Sequence, residues 1–184
     1  MVFTVIDCGF APRCSLEIDD GSEVRIDKIA RIIGECRLGV HDLSRTEQDP
    51  TTGLPRFNMP LELGLFLGAK RFGGDAHVSK NCLILDLERY RYQKFISDLA
   101  GQDIRAHGGK VGPLISAVRD WLRTTSGRKD IPGGTDISGR FSIFLRDLPG
   151  LCARIALDET EMTFADYYAI AATWLDERTT GDPV

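Results

Sequence analysis

A single carboxylate in an otherwise uncharged segment is the residue of this chain best suited to chemistry. Glu62 is the only charged residue of the stretch 59–69, whose other members are apolar residues, glycine and proline. A helix that is apolar all round is normally buried, and burial raises the pKa of a carboxyl group towards a range useful for catalysis. Glu62 could instead complement the dipole at the start of a helix, so a catalytic and a structural role both stay open.

Short apolar segments alternate with helical patterns along the first two thirds of the chain. The segments typical of buried strands are residues 2–8, 38–43, 81–86 and 102–106. Apolar residues recur at helical spacing in residues 22–36, 59–69 and 111–123. Asn58 is expected to cap the second of these helices, and Pro60 suits its first turn. This alternation predicts a parallel sheet with helices on both faces.

The remaining part of the chain has only helical patterns. Residues 126–127 and 131–134 have the composition of loops, and apolar residues then recur at helical spacing up to Leu175. We therefore expect an α/β domain at residues 1–124 and a helical extension packed on it at residues 125–184.

Composition and charge exclude several classes of protein. The 184 residues include 23 Lys and Arg against 27 Asp and Glu, which gives a net charge of −4 and argues against binding of nucleic acid. No uncharged apolar run approaches the roughly 18 residues that cross a bilayer, and the N-terminus lacks the basic start of a secretory signal. The five cysteines and three histidines show no metal-binding spacing. We expect a cytoplasmic protein without a membrane segment or a metal site.

The loops after the expected strands supply candidate contacts for a ligand, because doubly wound sheets bind ligands at the carboxyl ends of their strands. An aromatic ring there could stack on a base, and arginine or hydroxyl groups could hold phosphate and ribose oxygens. Each residue could also be an ordinary solvated loop residue. The candidates are Phe10, Arg13, Asp42, Ser44, Arg45 and Asp86.

A long polar loop at residues 44–58 connects the second expected strand to the helix that carries Glu62. Loops of this length are often functional or mobile. Arg45 and Arg56 near its ends could close over a phosphate, with Asn58 as a further substrate contact. The alternative is a surface loop that is merely tolerated.

The order of these features resembles a known group of bacterial proteins. Glu62-Leu63-Gly64 follows the second expected strand, and Ser97-Asp98-Leu99-Ala100-Gly101 follows the third. Residues 1–123 with these two motifs resemble the TIR-like and nucleoside 2-deoxyribosyltransferase-like group. The resemblance implies a flavodoxin-like or TIR-like three-layer fold, for which we expect the strand order 2-1-3-4-5.

The same resemblance implies a function. It makes Glu62 the catalytic carboxylate and Asp98 a nucleotide contact in an enzyme that cleaves or transfers an N-glycosidic bond. NAD or another nucleotide would be the substrate, and no cofactor would be needed. A carboxylate suits this reaction because the transition state resembles an oxocarbenium ion. The aromatic residue usual before the TIR glutamate is absent, so Phe57, Tyr90 or Tyr92 would have to stack on the base.

A non-catalytic reading of the same resemblance stays open. The chain could be a sensor of a nucleotide signal or a TIR-like module for protein interaction. TIR-like sheets commonly act as oligomers, so a homo-oligomer is expected. The last helical segment supports this, because its apolar residues cover more than one face; they are Phe164, Tyr167, Tyr168, Ile170, Ala171, Trp174 and Leu175.

Overall fold

The computed structural model describes residues 1–180 and divides the chain into two compact units. One unit is Gly21–Ala117, and the other combines Met1–Asp20 with the residues from Val118 onward. This division places residues 1–20 with the C-terminal helices. The domains 1–124 and 125–184 stay a prediction about which parts fold independently.

The described residues form six α-helices, five short 3-10 helices and three strands. The α-helices are α1 (Val2–Asp7), α2 (Arg25–Glu35), α3 (Asn58–Phe72), α4 (Val111–Ser126), α5 (Gly134–Arg154) and α6 (Phe164–Thr180). The strands are β1 (Leu38–Asp42), β2 (Asn81–Asp86) and β3 (Ile104–Ala106). None of the helices in this part of the chain is long and apolar enough to cross a membrane.

The three strands form one parallel sheet in the order β1-β2-β3. Alternation along β2 points Ile84 to one face, where it packs in a buried cluster with Leu43, Leu63, Tyr92 and Leu99. Helix α3 supplies Leu63 to this cluster and carries the chain from β1 to β2. The prediction of an α/β fold with a parallel sheet, flanking helices and C-terminal helices is confirmed.

Helices α2 and α3 pack side by side. Ile29 and Ile33 of α2 contact Phe66 of α3 in a second buried cluster. Lys80, which is 2% exposed, lies with its ammonium group 5.1 Å from the centre of the Phe66 ring and donates to the carbonyl oxygens of Ile33 and Cys36. These carbonyls lack helical partners at the end of α2, so the buried lysine satisfies them.

The expected strand at residues 2–8 is wrong, because Val2–Asp7 forms helix α1. A short apolar run fits a strand or a buried helix equally well by periodicity. Packing decides the outcome here: Phe3 is buried against Phe141 and Phe144 of α5, at ring-centre distances of 5.2 and 5.1 Å, and against Trp174 of α6 at 6.1 Å. Asp7 also pairs with Arg140 of α5 at 2.9 Å.

The loss of that strand changes the predicted topology. The expected order 2-1-3-4-5 would place the first strand between the segments that became β1 and β2. In the structure, β1 and β2 pair directly, from Leu38 opposite Asn81 to Asp42 opposite Leu85. The described residues therefore contain a sheet of three strands that follow one another in sequence order.

Candidate functional site

The carboxyl ends of the three strands bring acidic and basic side chains to one edge of the sheet. Asp42 is the last residue of β1, Asp86 is the last residue of β2, and His107 directly follows β3. Arg91 lies just beyond β2 and contacts Asp86. These four residues form the strand-end site.

Arg91 joins the ends of β1 and β2. Its guanidinium donates to Asp86 Oδ1 at 2.7 Å, to the Leu43 carbonyl oxygen at 2.6 Å and to Thr46 Oγ1 at 3.2 Å. Asp86 is fully buried, and its Oδ1 also accepts from the backbone N–H of Leu87 at 2.8 Å. A buried carboxylate needs such a paired cation, so this ion pair holds the two strand ends together.

The second oxygen of Asp86 is in a different situation. Asp86 Oδ2 is buried and has no hydrogen-bond partner among residues 1–180. Leaving a buried acceptor without a donor is costly. Because Asp86 is 0% exposed, an internal water molecule is the partner that suits this oxygen, and a ligand has no open path to it.

His107 forms a second polar pair at the same edge. It is 7% exposed, and its Nδ1 accepts from the backbone N–H of Gly109 at 3.1 Å. In a neutral imidazole the proton must then be on Nε2, which lies 3.4 Å from Asp42 Oδ1. Asp42 Oδ1 also accepts from the N–H of Ser44 at 3.0 Å. Asp42 therefore orients the imidazole from one side and the Gly109 N–H from the other, so the ring is held in place and its acceptor nitrogen is already used.

The two pairs lie on opposite faces of the sheet. Side chains alternate along a strand, so Asp86 shares the face of Ile84, which packs against α3. His41 lies on the same face, with its ring centre 5.3 Å from that of Phe66, so its neighbour Asp42 points to the other face. A ligand crossing the edge of the sheet could contact both pairs.

Glu62, the predicted catalytic residue, lies along α2 and not towards the strands. It is one helical turn before Phe66, which packs on Ile29 of α2, and Arg25 is one turn before Ile29. Leu63 is the residue of this turn that reaches the sheet cluster. We call the junction of Glu62, Phe66, Arg25 and Ile29 the α2–α3 seam.

The environment of Glu62 fits the expected rise of its pKa. The side chain is half-buried, and this burial raises the pKa of the carboxyl group, while the charge of Arg25 lowers it in part. Glu62 is the fifth residue of α3, and no acidic residue occupies the first turn of that helix. Dipole effects fade beyond the first turn, so the structural alternative for Glu62 loses its basis.

Residues 48–56 of the long loop are held by internal bonds. Asp49 pairs with Arg56 at 2.8 Å and accepts from the N–H groups of Thr51 and Thr52 at 2.9 and 3.2 Å. The Arg56 hydrogen bond is the main cause that lowers the pKa of the Asp49 carboxyl. Closure of Arg56 over a phosphate would require breaking this pair. Arg45 is exposed, and its role in phosphate binding stays a prediction.

Phe10 and Arg13 do not follow a strand, since the segment before them is helix α1. The reason for predicting them as ligand contacts is therefore removed. The Phe10 ring lies 5.3 Å from the Arg128 guanidinium, and Arg13 pairs with Glu17 at 2.7 Å. Both residues belong to the unit of α1, α5 and α6 and not to the sheet unit.

Of the other predicted contacts, two lie in 3-10 turns and one is the first residue of α3. Ser44 sits in a short 3-10 turn directly after β1, where its N–H is bonded to Asp42. Asn58 is the exposed first residue of α3, and its predicted role as N-cap is wrong because Phe57 precedes the helix in that position. Asp98 is exposed in a 3-10 turn between β2 and β3. The structure thus brings Asp42, Ser44 and Asp86 to the strand ends.

Sequence reasoning missed Arg91 and His107. Arg91 belongs to an aromatic and basic run whose pattern does not reveal a buried partner. His107 directly follows the expected strand 102–106, so extending the rule of strand carboxyl ends to that strand would have found it. Within the described residues, no group of three or more His, Cys, Asp or Glu side chains could hold a metal ion.

Comparison of the chain with protein-family models, with curated proteins and with solved structures found no match. The TIR-like resemblance therefore rests only on the motifs quoted from the sequence. Any function is inferred from the strand-end residues and from Glu62, and not from relatives.

Proposed function

We propose that the protein recognises a nucleotide or nucleoside at the carboxyl ends of its strands and cleaves or transfers the N-glycosidic bond. The observation that supports this most is the convergence of Asp42, Asp86 and His107 at one edge of a parallel sheet. Ribose hydroxyls are donors that suit the Asp42 carboxylate, whose side chain is 24% exposed. The finer assignment to a flavodoxin-like or TIR-like fold belongs to the same proposal.

The reaction needs two kinds of group, and the chain offers both. As the bond between ribose C1′ and the base nitrogen breaks, its electron pair leaves with the base and positive charge builds on the sugar. A carboxylate stabilises that charge. Water or a second acceptor then attacks C1′ and gives its proton to a base. A second carboxylate has the right chemistry for this step, because both ring nitrogens of His107 are already bonded, Nδ1 to the N–H of Gly109 and Nε2–H to Asp42.

Two carboxylates, Glu62 and Asp42, are candidates for the catalytic group beside C1′. Glu62 has the raised pKa that was expected of a catalytic group, whereas Asp42 has the partner His107 and lies at the strand ends. Incubation with NAD followed by measurement of free nicotinamide tests the proposal. Wild-type protein should release nicotinamide, and the variant that lacks the catalytic carboxylate should lose at least about 100-fold in rate.

The rates of nicotinamide release by Glu62→Gln and by Asp42→Asn are compared with the wild-type rate. Glu88→Gln is a matched control, because Glu88 is an exposed residue just after β2. The control should keep the full rate. If neither NAD nor a panel of nucleosides loses its base, the enzymatic proposal is wrong.

A sensor or an interaction module is the second candidate, and the position of Glu62 favours it. The carboxylate lies in the α2–α3 seam, so the strand-end site could bind a nucleotide without Glu62 reaching the sugar. Tight binding of a nucleotide without turnover would support this candidate.

The expected homo-oligomer also stays a proposal. The apolar residues of α6 that suggested a free face are all buried or half-buried, so they do not supply an exposed apolar surface. The TIR-like resemblance is then the remaining reason to expect self-association. The solution mass over a range of protein concentrations tests it.

A further inference from the structure

A cavity lies between α5 and α6, within the unit that does not contain the sheet. Its volume is about 390 Å³, which falls in the range of small-molecule sites. Its lining consists of Arg146, Asp147, Gly150, Leu151, Arg154, Trp174, Glu177 and Arg178. None of these residues takes part in the strand-end site.

Hydrogen bonds fix one wall of this cavity. Asp147 Oδ2 accepts from Trp174 Nε1 at 3.2 Å, and Oδ1 accepts from Arg146 at 3.3 Å. Arg178 lies 3.5 Å from the same carboxylate and stacks on the Trp174 ring with its central carbon 4.3 Å from the ring centre. Burial acts to raise the pKa of Asp147, but the bonds from Trp174 and Arg146 hold it below its ordinary value. The Asp147 carboxylate is therefore ionised, and its oxygens already accept hydrogen bonds from neighbouring side chains.

Another residue of the lining, Arg154, is a cation without an ion-pair partner in the described part of the chain. Arg146 and Arg178, in contrast, share Asp147. Three guanidinium groups face two carboxylates, Asp147 and Glu177, so the lining has an excess of one positive charge. Such a site favours an anion over a neutral or cationic ligand.

Gly150 keeps the cavity open. Arg146, Gly150 and Arg154 follow one another at intervals of four residues on one face of α5. A β-carbon at Gly150 would have no neighbour within 4 Å, so the missing side chain leaves space between the two arginines.

We propose that this cavity binds a small aromatic anion. The carboxylate or phosphate group of the anion would pair with Arg154, and the aromatic ring of the anion would pack against Leu151 and on the guanidinium plane of Arg178. Arginine stacks well on flat rings and pairs with oxyanions of both kinds. This site is independent of the function proposed for the strand ends.

Titration with phenyl phosphate, benzoate and inorganic phosphate tests the proposal, read by calorimetry and by tryptophan fluorescence in a Trp121→Phe background, where Trp174 is the remaining tryptophan. Saturable binding of either aromatic anion supports it and identifies the preferred oxyanion. Arg154→Gln should weaken binding at least about tenfold, since a charge-assisted hydrogen bond is lost. Glu177→Gln should strengthen binding because it removes a repulsive charge.

Gly150→Leu should abolish binding by filling the cavity, and Gly139→Leu is its matched control. Gly139 lies on the same helix, outside the cavity lining, and a β-carbon there also has no neighbour within 4 Å. Circular dichroism of both variants checks that they fold. If Gly150→Leu does not fold, Arg154→Gln still tests the site. The proposal is overturned if no aromatic anion binds at up to about 10 mM. Equal affinity in Gly150→Leu and Gly139→Leu, or equal affinity for inorganic phosphate and phenyl phosphate, would also contradict it.

Discussion

The strand-end site and the α2–α3 seam treat buried polar groups in opposite ways. At the strand ends, Asp86 is paired with Arg91 through Oδ1, although its Oδ2 has no partner among the described residues, and His107 has a partner on each ring nitrogen. On the side of the seam, His41 is buried against Phe66, and neither of its ring nitrogens has a partner among the described residues. Among the described residues, Glu62 likewise has the longer-range charge of Arg25, and no hydrogen bond, to offset its burial.

This difference separates a built polar site from polar groups that the fold tolerates. Partnered groups keep a fixed charge and orientation, which recognition and catalysis require. Unpartnered groups respond to burial by a shift in pKa. We therefore propose ligand recognition at the strand ends, and we expect the buried His41 to dominate the response of stability to pH.

Loss of Arg91 should have the largest effect of the changes that test this comparison. Arg91→Leu leaves the fully buried Asp86 carboxylate without its cation, which typically costs about 3 to 5 kcal/mol of folding free energy. Chemical denaturation measures the loss. Arg89→Ala removes an exposed neighbouring arginine and should change stability by less than about 0.5 kcal/mol. Similar losses in both variants would show that the buried pair does not stabilise the strand ends.

The unpartnered His41 should make stability fall in weakly acidic solution. Burial lowers the pKa of His41 to about 4, whereas an unfolded chain binds a proton near pH 6.5. The unfolded state thus binds more protons between these values, so stability is present above pH 6.5 and is lost as the pH falls towards 4. The loss should be about 3 kcal/mol.

His41→Leu provides the matched measurement, since it removes the titrating group whatever its effect on packing. Unfolding free energies of wild type and His41→Leu are measured from pH 7 to pH 4, and the difference between them should shift by that amount in favour of His41→Leu as the pH falls. Parallel curves would mean that His41 titrates normally in the folded protein.

Glu62→Gln should give the smallest of these effects on stability, and it should stabilise the protein, whereas Arg91→Leu destabilises it. Burial raises the pKa of Glu62, so ionisation at neutral pH is unfavourable in the folded protein, and a neutral residue should stabilise it. Solvent screening of this half-exposed group keeps the gain below about 1 kcal/mol. Thermal unfolding at pH 7 should detect a slight rise in melting temperature, and a clear fall would mean that the charge of Glu62 stabilises the seam.

The strands and helices of the sheet unit could be predicted because their patterns are local. The apolar run of β2 and the helical spacing of α2 and α4 are visible within single segments. The segment Val2–Asp7 was misjudged because its conformation depends on Phe141, Phe144 and Trp174, which lie far along the chain.

The partners of the strand-end site are similarly distant. Arg91 bonds to a residue 48 positions away, and His107 to one 65 positions away. Residue types at the strand ends predicted Asp42 and Asp86, but nothing local reveals which cation or imidazole meets each carboxylate. The side to which Glu62 turns also depended on the packing of α2 against α3.

Amide chemical shifts during titration with NAD and with adenosine monophosphate test the location of nucleotide recognition most directly. The backbone N–H groups of Ser44, Leu87, Gly108 and Gly109 lie at the carboxyl ends of the strands and report on the strand-end site. We predict that these amides shift saturably with a common dissociation constant, and that Asp42→Asn weakens the response. Saturable shifts confined to other amides, or no saturable shift with either nucleotide, would contradict the assignment of the strand ends as the nucleotide site.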